Sequence, residues 1–174
     1  MIEIFDDVLS PRYFEKIVNY VTSNNIYWVC DHTGGLEDEH LSFANLSDRD
    51  GSPQHAEFSM GIFFHLMDAV NKEYTQLNRI RYGLITRGVS QITNLAHIDD
   101  KNNLKQKVAL FYLNDTDGET YIYKNKHPNY DNLVVDKKIM PKPNRLVIFD
   151  GDVIHASSTP TKTQLRYAIN FNYE

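Results

Sequence analysis

The sequence predicts a mainly β protein with N-terminal helices, an α+β fold in which two helices support a β-sandwich or jelly roll. Two observations predict this fold. Apolar residues recur at helical spacing before residue 78, and after it short β-rich stretches are broken by Gly, Pro, Asn and Asp. The 174 residues suit one domain with a sizeable core. We therefore expect one domain, in which residues 1–78 supply helical support and a mobile loop and residues 79–174 form the β core.

Two helices are expected in the N-terminal part. The stretch "SPRYFEKIVNYVTSNN" opens with Ser10 as the N-cap and Pro11 at the first helical position. Its apolar residues form one stripe at helical spacing: Tyr13, Phe14, Ile17, Val18 and Val21. A second helix is expected over about 60–77, and one of its faces carries Phe63, Met67, Val70, Tyr74 and Leu77.

A short strand and a long polar segment lie between these helices. Residues 26–30, "IYWVC", predict the strand, in which Cys30 is expected to be a small packed residue. Residues 31–57 are acidic and rich in turn formers, and a loop of this length is usually functional or mobile. The irregular spacing of its histidines indicates solvated side chains rather than a metal site. Together with residues 123–132, this loop could form a wall or lid at the mouth of a site.

The remainder of the chain reads as seven or eight short strands. Gly, Pro, Asn and Asp separate them, and Gly118 allows a hairpin-like turn in "LNDTDGET". Such a series suggests an antiparallel sandwich or jelly roll. The predicted strands are "RIRYGLITRG", "VSQITNLAHI", "KQKVALFYLN", "ETYIY", "NLVV", "RLVIFD" and "QLRYAINFNY".

Composition argues against several classes of protein. Lys and Arg total 18 against 23 Asp and Glu, a net charge of -5, so no nucleic-acid partner is expected. No apolar run approaches the roughly 20 residues that span a bilayer, and the N-terminus does not look like a signal peptide. Cys30 is the only cysteine, which excludes an intramolecular disulfide and a cysteine-based zinc cluster. We expect a cytoplasmic protein without a membrane partner.

The stretch "AHIDD" at residues 96–100 carries a candidate metal site. Residues two apart in a strand face the same side, so His97 and Asp99 would project together while Ile98 faces the other way. An imidazole and a carboxylate are two of the three ligands in the 2-His-1-carboxylate triad of non-haem Fe(II) oxygenases. The alternative is a strand end that meets solvent, because short His-x-Asp matches occur by chance.

A third ligand has to come from a distant part of the chain. His155 follows an apolar strand, residues 146–149, and the turn "DGD", so it would be well held at the start of the next strand. The other candidate is His127 in "NKHPNY", which lies in a loop where rigid placement is less expected. We prefer His155 as the third ligand.

Arg166, in "TQLRYAINFNY", is a candidate anchor for a carboxylate. A guanidinium binds a carboxylate through two parallel hydrogen bonds and keeps its charge when partly buried. If the co-substrate is 2-oxoglutarate, its far carboxylate needs such a cation. Strand alternation puts Arg166, Ala168 and Asn170 on one face. Taken alone, Arg166 would more often be a surface charge on an edge strand.

The order of these motifs resembles the catalytic domain of the prolyl 4-hydroxylase-like Fe(II)/2-oxoglutarate oxygenases. The order is His97-x-Asp99, then "VALFYLN", "DGE", "RLVIFDGDVIHASSTP" and "LRYAINFNY", and the resemblance covers roughly residues 80–174. It implies a double-stranded β-helix, a distorted jelly roll with the metal inside one mouth. This chain has "DGE" at residues 117–119 where the family usually has "GGE", which is expected to alter only a turn.

The resemblance also implies the roles of single residues. His97, Asp99 and His155 match the iron ligands, and Arg166 matches the arginine that binds the 5-carboxylate of 2-oxoglutarate. Because Asp99 is a carboxylate and not Ala or Gly, hydroxylation is implied rather than halogenation.

Three further residues are implied to bind the co-substrate. Tyr112 matches a tyrosine whose hydroxyl shares the 5-carboxylate, and Tyr82 resembles a tyrosine that often lines the same pocket. Asn170 is expected to face that pocket as well.

We therefore expect a dioxygenase that uses Fe(II), 2-oxoglutarate and O2 to hydroxylate an unactivated C–H bond, releasing succinate and CO2. The resemblance implies a prolyl residue in a protein or peptide as the substrate. A small molecule such as a free amino acid is the alternative substrate. Two other classes remain open: a cupin-like metal enzyme that does not use 2-oxoglutarate, and a non-catalytic β-sandwich binding module.

Overall fold

A computed structural model describes residues 1–23, 26–30, 42–46 and 53–174 of the chain. Two α-helices and ten β-strands lie in these residues. The helices are α1 (Pro11–Thr22) and α2 (Pro53–Ala69). The strands are β1 (Ile2–Phe5), β2 (Val29–Cys30), β3 (Ser42–Leu46), β4 (Leu77–Thr86), β5 (Lys107–Tyr112), β6 (Thr120–Lys126), β7 (Val135–Ile139), β8 (Arg145–Asp150), β9 (Val153–Ser157) and β10 (Leu165–Tyr173).

The strands form two antiparallel sheets. The large sheet has the order β1-β8-β5-β10-β4-β3-β2, and the small sheet has the order β7-β6-β9. The predicted fold class, mainly β with two supporting N-terminal helices, is confirmed. None of the helices in the described part of the chain is long and apolar enough to cross a membrane.

The two helices cover one face of the large sheet. The buried residues of α1 are Ile17 and Val21, both on the predicted apolar stripe. They join one core cluster with α2 and the outward face of the sheet, whose contributions include Phe63, Leu66, Met67, Phe111, Ile148, Ile169 and Phe171. Burial of this apolar face holds the helices on the sheet.

The N-terminus of α1 lies where the sequence predicts it. Pro11 is its first residue, and the carbonyl of Ser10 accepts hydrogen bonds from the N–H groups of Tyr13 and Phe14 at 3.0 Å each. The Ser10 side chain makes no capping hydrogen bond. Ser10 therefore caps the helix through its backbone only.

The bounds predicted for the second helix are wrong. The helix begins at Pro53 and ends at Ala69, and Leu77 instead begins β4. Asn71 adopts a positive φ of 53°, and the Lys72 N–H bonds to the Met67 carbonyl at 2.9 Å. A left-handed residue just past the last turn ends a helix, and Asn tolerates that conformation. The predicted helix ran too far because apolar residues continue at helical spacing beyond Asn71, to Tyr74 and Leu77.

Several other local expectations differ from the structure. Strand β1 was not predicted, and β3 lies inside the segment predicted as a loop, residues 31–57. The rest of that segment before α2, with His32 and His40, lies outside the described residues, so its role as a lid stays a prediction. Cys30 is exposed and not packed.

The other face of the large sheet turns toward the small sheet and encloses a second core. Its buried residues are Val108, Leu110, Tyr112, Ile122, Ile139, Val147, Phe149, Val153 and Ala168. Side chains alternate along β10. One set points to the helices (Ile169, Phe171 and Tyr173), and the other points into the space between the sheets (Arg166 and Ala168). The inner positions of β10 and β4 therefore line the space between the sheets.

Candidate metal and 2-oxoglutarate site

His97, Asp99 and His155 converge on one point between the two sheets. The sequence predicts a strand in "VSQITNLAHI", residues 89–98, but this segment does not form a regular strand. An isolated β-bridge instead pairs His97 with His155. The two backbone hydrogen bonds of this bridge measure 3.0 and 2.9 Å. The Nε2 atoms of His97 and His155 each lie 3.9 Å from Oδ1 of Asp99. The bridge replaces the strand that the sequence suggested and still brings the three side chains together.

Both imidazoles are oriented by backbone carbonyls. Nδ1 of His97 lies 2.9 Å from the Leu95 carbonyl oxygen, and Nδ1 of His155 lies 3.1 Å from that of Val153. A carbonyl oxygen can only accept, so each Nδ1 donates to it and each Nε2 is left facing Asp99. Burial lowers the pKa of His155 to about 4, which keeps this imidazole neutral near pH 7. Imidazoles oriented in this way are suited to bind a metal through Nε2.

The Asp99 carboxylate is buried and ionised. Its side chain is 3% exposed. Its Oδ2 accepts hydrogen bonds from Nδ2 of Asn170 at 3.0 Å and from Nδ2 of Asn172 at 2.8 Å. Burial alone would raise the pKa of Asp99, but three effects outweigh it and lower the pKa to about 2: the charge that His155 gains in acid, the charge of Arg79 and the hydrogen bond from the Asn172 amide. Oδ1 is thus left as the oxygen that faces the two histidines.

These three side chains fit a metal with two nitrogen ligands and one oxygen ligand. Their candidate ligand atoms all lie within 4.8 Å of one another. Since metal–nitrogen bonds are about 2.1 Å long, one ion placed between atoms 3.9 Å apart reaches both. Two histidines and one carboxylate on one face, with other positions open, form the set that non-haem Fe(II) oxygenases use.

Arg166 is fixed deep in the same interior. It is 4% exposed, and it donates hydrogen bonds from Nε to the Gly118 carbonyl and from Nη2 to Thr120 Oγ1, both at 2.9 Å. A Cβ on Gly118 would lie 2.8 Å from the Ser158 carbonyl oxygen and 3.0 Å from Cδ of Arg166. Gly118 therefore leaves the space that this arginine occupies.

Tyr112 accompanies Arg166. Its hydroxyl donates to Thr120 Oγ1 at 2.7 Å, and the Arg166 guanidinium carbon lies 5.5 Å from the centre of its ring. Both side chains share Thr120 as a hydrogen-bond partner. The structure thus brings Tyr112 next to the predicted carboxylate anchor.

A cavity of about 470 Å3 connects the metal site with Arg166. A smaller adjoining cavity of about 60 Å3 is lined by His155 and shares Arg166 and Asn170 with the large one. The large cavity is lined by Ser42, Phe43, Arg79, Arg81, Gly83, Leu84, Ile85, Asn94, Leu95, His97, Asp99, Ser157, Arg166 and Asn170. The large cavity therefore joins two of the three triad residues to the anchor, and the adjoining cavity adds His155.

Tyr82 does not belong to this group, contrary to the expectation from the sequence. It lies on the helix-facing side of β4, fully buried, and its hydroxyl is 2.6 Å from Ser59 Oγ on α2. The reason is alternation: Arg79, Arg81 and Gly83 face the cavity, so the residue between the last two faces away. His127, the alternative third ligand, lies outside the triad, with its Nδ1 3.3 Å from the Tyr130 hydroxyl.

Three residues at the site were not singled out from the sequence: Arg79, Arg81 and Asn172. Asn170 was expected at the co-substrate, whereas its amide contacts the carboxylate of Asp99. The signal for Asn172 was available, because the alternation of Arg166, Ala168 and Asn170 along β10 continues to it. Arg79 and Arg81 follow the same alternation on β4.

Comparison with known proteins gives a consistent result. The sequence model of the 2OG-Fe(II) oxygenase superfamily matches residues 87–174. No curated protein sequence matches the chain.

Solved structures of low sequence identity share the fold, each over 99% of this chain. An oxidoreductase of the 2OG-Fe(II) oxygenase family from Burkholderia pseudomallei is 15% identical, with a TM-score of 0.71 and 84% of its chain covered. The α-ketoglutarate-dependent epimerase SnoN from nogalamycin biosynthesis is 10% identical, with a TM-score of 0.72 and 77% covered. A prolyl hydroxylase from Trichoplax adhaerens, in complex with a peptide, is 17% identical, with a TM-score of 0.61 and 82% covered. The double-stranded β-helix that the sequence implied is thereby confirmed.

Proposed function

The chain belongs to the 2OG-Fe(II) oxygenase superfamily, and we propose that it hydroxylates an unactivated C–H bond with Fe(II) held by His97, Asp99 and His155. Proteins of this family require Fe(II), 2-oxoglutarate and O2, and the chain is an oxidoreductase. One observation carries the proposal: His97, Asp99 and Arg166 come from separate segments of the chain and line one cavity of about 470 Å3, and His155 completes the triad from the adjoining smaller cavity. Family membership argues against a non-catalytic binding module and against a cupin-like enzyme without 2-oxoglutarate.

Within this proposal, each residue has a defined task. When bound, Fe(II) with 2-oxoglutarate and O2 supplies the oxidising chemistry, which yields succinate, CO2 and a hydroxylated product. The two histidines present their Nε2 atoms, and Asp99 presents Oδ1 as an anionic ligand. Arg166 binds the 5-carboxylate of 2-oxoglutarate in a buried place where its hydrogen bonds fix its direction. The ring of Tyr112 packs beside the guanidinium of Arg166 and helps to hold it in place.

We propose a prolyl residue in a protein or peptide as the substrate and a small molecule, such as a free amino acid, as the alternative. The similar fold of a prolyl hydroxylase in complex with a peptide supports the first. The similar fold of an epimerase from nogalamycin biosynthesis, with a TM-score of 0.72, supports the second. A cytoplasmic location remains part of the proposal, on the ground of the single, unpaired cysteine.

An anaerobic optical titration tests the proposed cofactor chemistry. One equivalent of Fe(II) followed by 2-oxoglutarate should create a visible metal-to-ligand charge-transfer band that saturates. Arg166→Ala should need roughly 100-fold more 2-oxoglutarate, because a buried charged hydrogen-bond partner is lost. Arg87→Ala is the matched control, because Arg87 is exposed and lies outside the cavity. The absence of a band with iron bound, or an unchanged response in Arg166→Ala, would contradict the proposal.

A further inference from the structure

Arg79 faces the cavity from β4, and it is not one of the residues assigned above to the metal or to the 5-carboxylate of 2-oxoglutarate. Its side chain is 22% exposed. It lines the cavity together with Arg81, Gly83 and Ile85, the alternate residues of the strand. In the sheet it pairs with Asn172 of β10, whose amide holds Asp99. Arg79 therefore lies at the level of the metal triad.

The guanidinium of Arg79 lacks an acceptor at hydrogen-bonding distance in the described part of the chain. Its closest anionic partner is Oδ1 of Asp99, which lies 3.7 Å from Nη1. This distance is too long for a hydrogen bond. A guanidinium carries five N–H donors, which can bind an acceptor that enters the cavity. The open cavity is the space from which an acceptor can reach them.

Metal binding would favour an anion beside Arg79. Oδ1 of Asp99 is the oxygen that faces both histidines. A divalent ion bound to Oδ1 would neutralise the carboxylate nearest to Arg79. Among the described residues that line the cavity, three are arginines and one is a carboxylate. The positive charges of a metal ion and an arginine so close together repel each other unless an anion lies near them.

The co-substrate anchor lies elsewhere along the same pair of strands. Arg166 pairs with Ile85, six residues farther along β4 than Arg79. At about 3.4 Å per residue, the two positions are about 20 Å apart along the strand. The guanidinium of Arg166 reaches Thr120 and Gly118, whereas that of Arg79 reaches Asp99. An anion bound at Arg79 is therefore separate from the 5-carboxylate of 2-oxoglutarate at Arg166.

We propose that Arg79 binds a carboxylate carried by the primary substrate and so holds that substrate beside the metal. This inference rests on the proposed function and names the substrate class for the same site. The cavity volume of about 470 Å3 falls within the range of sites for small ligands. The carboxylate belongs either to a free acid, such as an amino acid, or to an acidic side chain next to the hydroxylated residue of a peptide.

Sulfate is a suitable first probe, because it is an oxyanion that a guanidinium binds in the same way as a carboxylate. The wild-type protein is loaded anaerobically with Fe(II) and saturating 2-oxoglutarate, and sulfate is added while the charge-transfer band is followed. We expect a saturable shift of the band, and an affinity for sulfate weakened roughly tenfold or more in Arg79→Gln. Arg87→Gln, an exposed arginine outside the cavity, should behave as the wild type.

The outcomes separate this inference from the proposed function. Failure to form the band at all would count against the proposed function. A normal band that does not respond to sulfate would overturn the role of Arg79 and leave the proposed function standing. A response to sulfate that is equal in the wild type and in Arg79→Gln would do the same. Loss of the band on adding sulfate would mean that sulfate displaces 2-oxoglutarate, which also overturns it. A variant that loses Fe(II) affinity but keeps the sulfate response would show that Arg79 only positions Asp99.

Matched probes then identify the source of the carboxylate. Free L-proline is compared with L-prolinamide, and a proline peptide with an adjacent Glu is compared with its Gln counterpart. Formation of succinate from 2-oxoglutarate is measured with each probe. In one of the two pairs, we expect the compound with the carboxylate to increase succinate formation more than its amide counterpart does. Arg79→Gln should remove that preference. Equal stimulation by acid and amide would contradict the inference.

Discussion

The two oxygens of Asp99 have different surroundings. Oδ2 accepts two amide hydrogen bonds from Asn170 and Asn172, whereas Oδ1 faces the two histidines. With Oδ2 engaged in these hydrogen bonds, Oδ1 is the oxygen with which Asp99 would hold a metal ion in the proposed site. Groups that orient metal ligands typically change metal affinity or activity 10–100-fold when they are removed.

Asn172→Ala should therefore weaken Fe(II) binding by about tenfold or more, because Asp99 loses its shorter amide hydrogen bond. The affinity is measured by anaerobic titration against a chelator, on protein whose folded fraction has been checked by circular dichroism. Asn78→Ala is the control, since the one side-chain hydrogen bond of Asn78 within the described residues goes to Glu174, at 3.4 Å. Unchanged Fe(II) affinity in folded Asn172→Ala would show that the amide does not help to hold the metal ligand.

At the scale of single elements, alternation along strands was the most reliable guide in the sequence. It placed Arg166 and Asn170 correctly on the inner face of β10, and the same rule applied to β4 would have excluded Tyr82 from the pocket. Features set by tertiary contacts were not predictable in this way. The His97 segment is held by a two-residue bridge to His155 and not by a strand of its own.

The turn at Asp117 also has a larger role than the sequence suggested. Asp117 accepts hydrogen bonds from the N–H groups of Thr161, Lys162 and Thr163 and from two of their hydroxyls, at 2.7–3.2 Å. It thereby ties the β5–β6 turn to the connection between β9 and β10. The departure from "GGE" to "DGE" adds a link between two turns beside Gly118 and Arg166, which no local pattern could reveal.

Asp117→Asn should lower the free energy of unfolding at pH 7 by about 1 kcal/mol, allowing for solvent screening of charged hydrogen bonds. Burial alone would raise the pKa of Asp117, but the hydroxyl and N–H of Thr161 and the neighbouring N–H groups lower it well below its usual range. A carboxyl with a lowered folded-state pKa stabilises above the unfolded-state pKa, and this stability is lost as the pH falls below about 4.

Urea unfolding between pH 7 and pH 2 measures this effect. The difference between wild type and Asp117→Asn should therefore shrink as the solution is acidified below about pH 4. Asp115→Asn, which alters an exposed carboxylate in the same turn, is the control and should follow the wild type. A difference that stays constant from pH 7 to pH 2 would contradict the role assigned to the ionised carboxylate.

At the scale of the whole molecule, the candidate metal site connects the two sheets. His155 lies on β9 of the small sheet. Asp99 is fastened by its amide hydrogen bonds to β10 of the large sheet. A metal ion shared by these side chains would therefore add a link between the layers that only the folded protein can make. A ligand that binds the folded state alone stabilises it by mass action.

Anaerobic Fe(II) should for this reason raise the thermal midpoint of the protein. At a free concentration 100 times the dissociation constant, the stabilisation is about 2.7 kcal/mol, which corresponds to roughly 5–10 °C for a chain of this size. Calorimetry with and without a chelator measures the shift, which the chelator should reverse. His155→Ala should abolish the shift, whereas His127→Ala should keep it, because His127 lies outside the triad beside Tyr130. An equal shift in both variants would mean that the metal binds somewhere other than between the sheets.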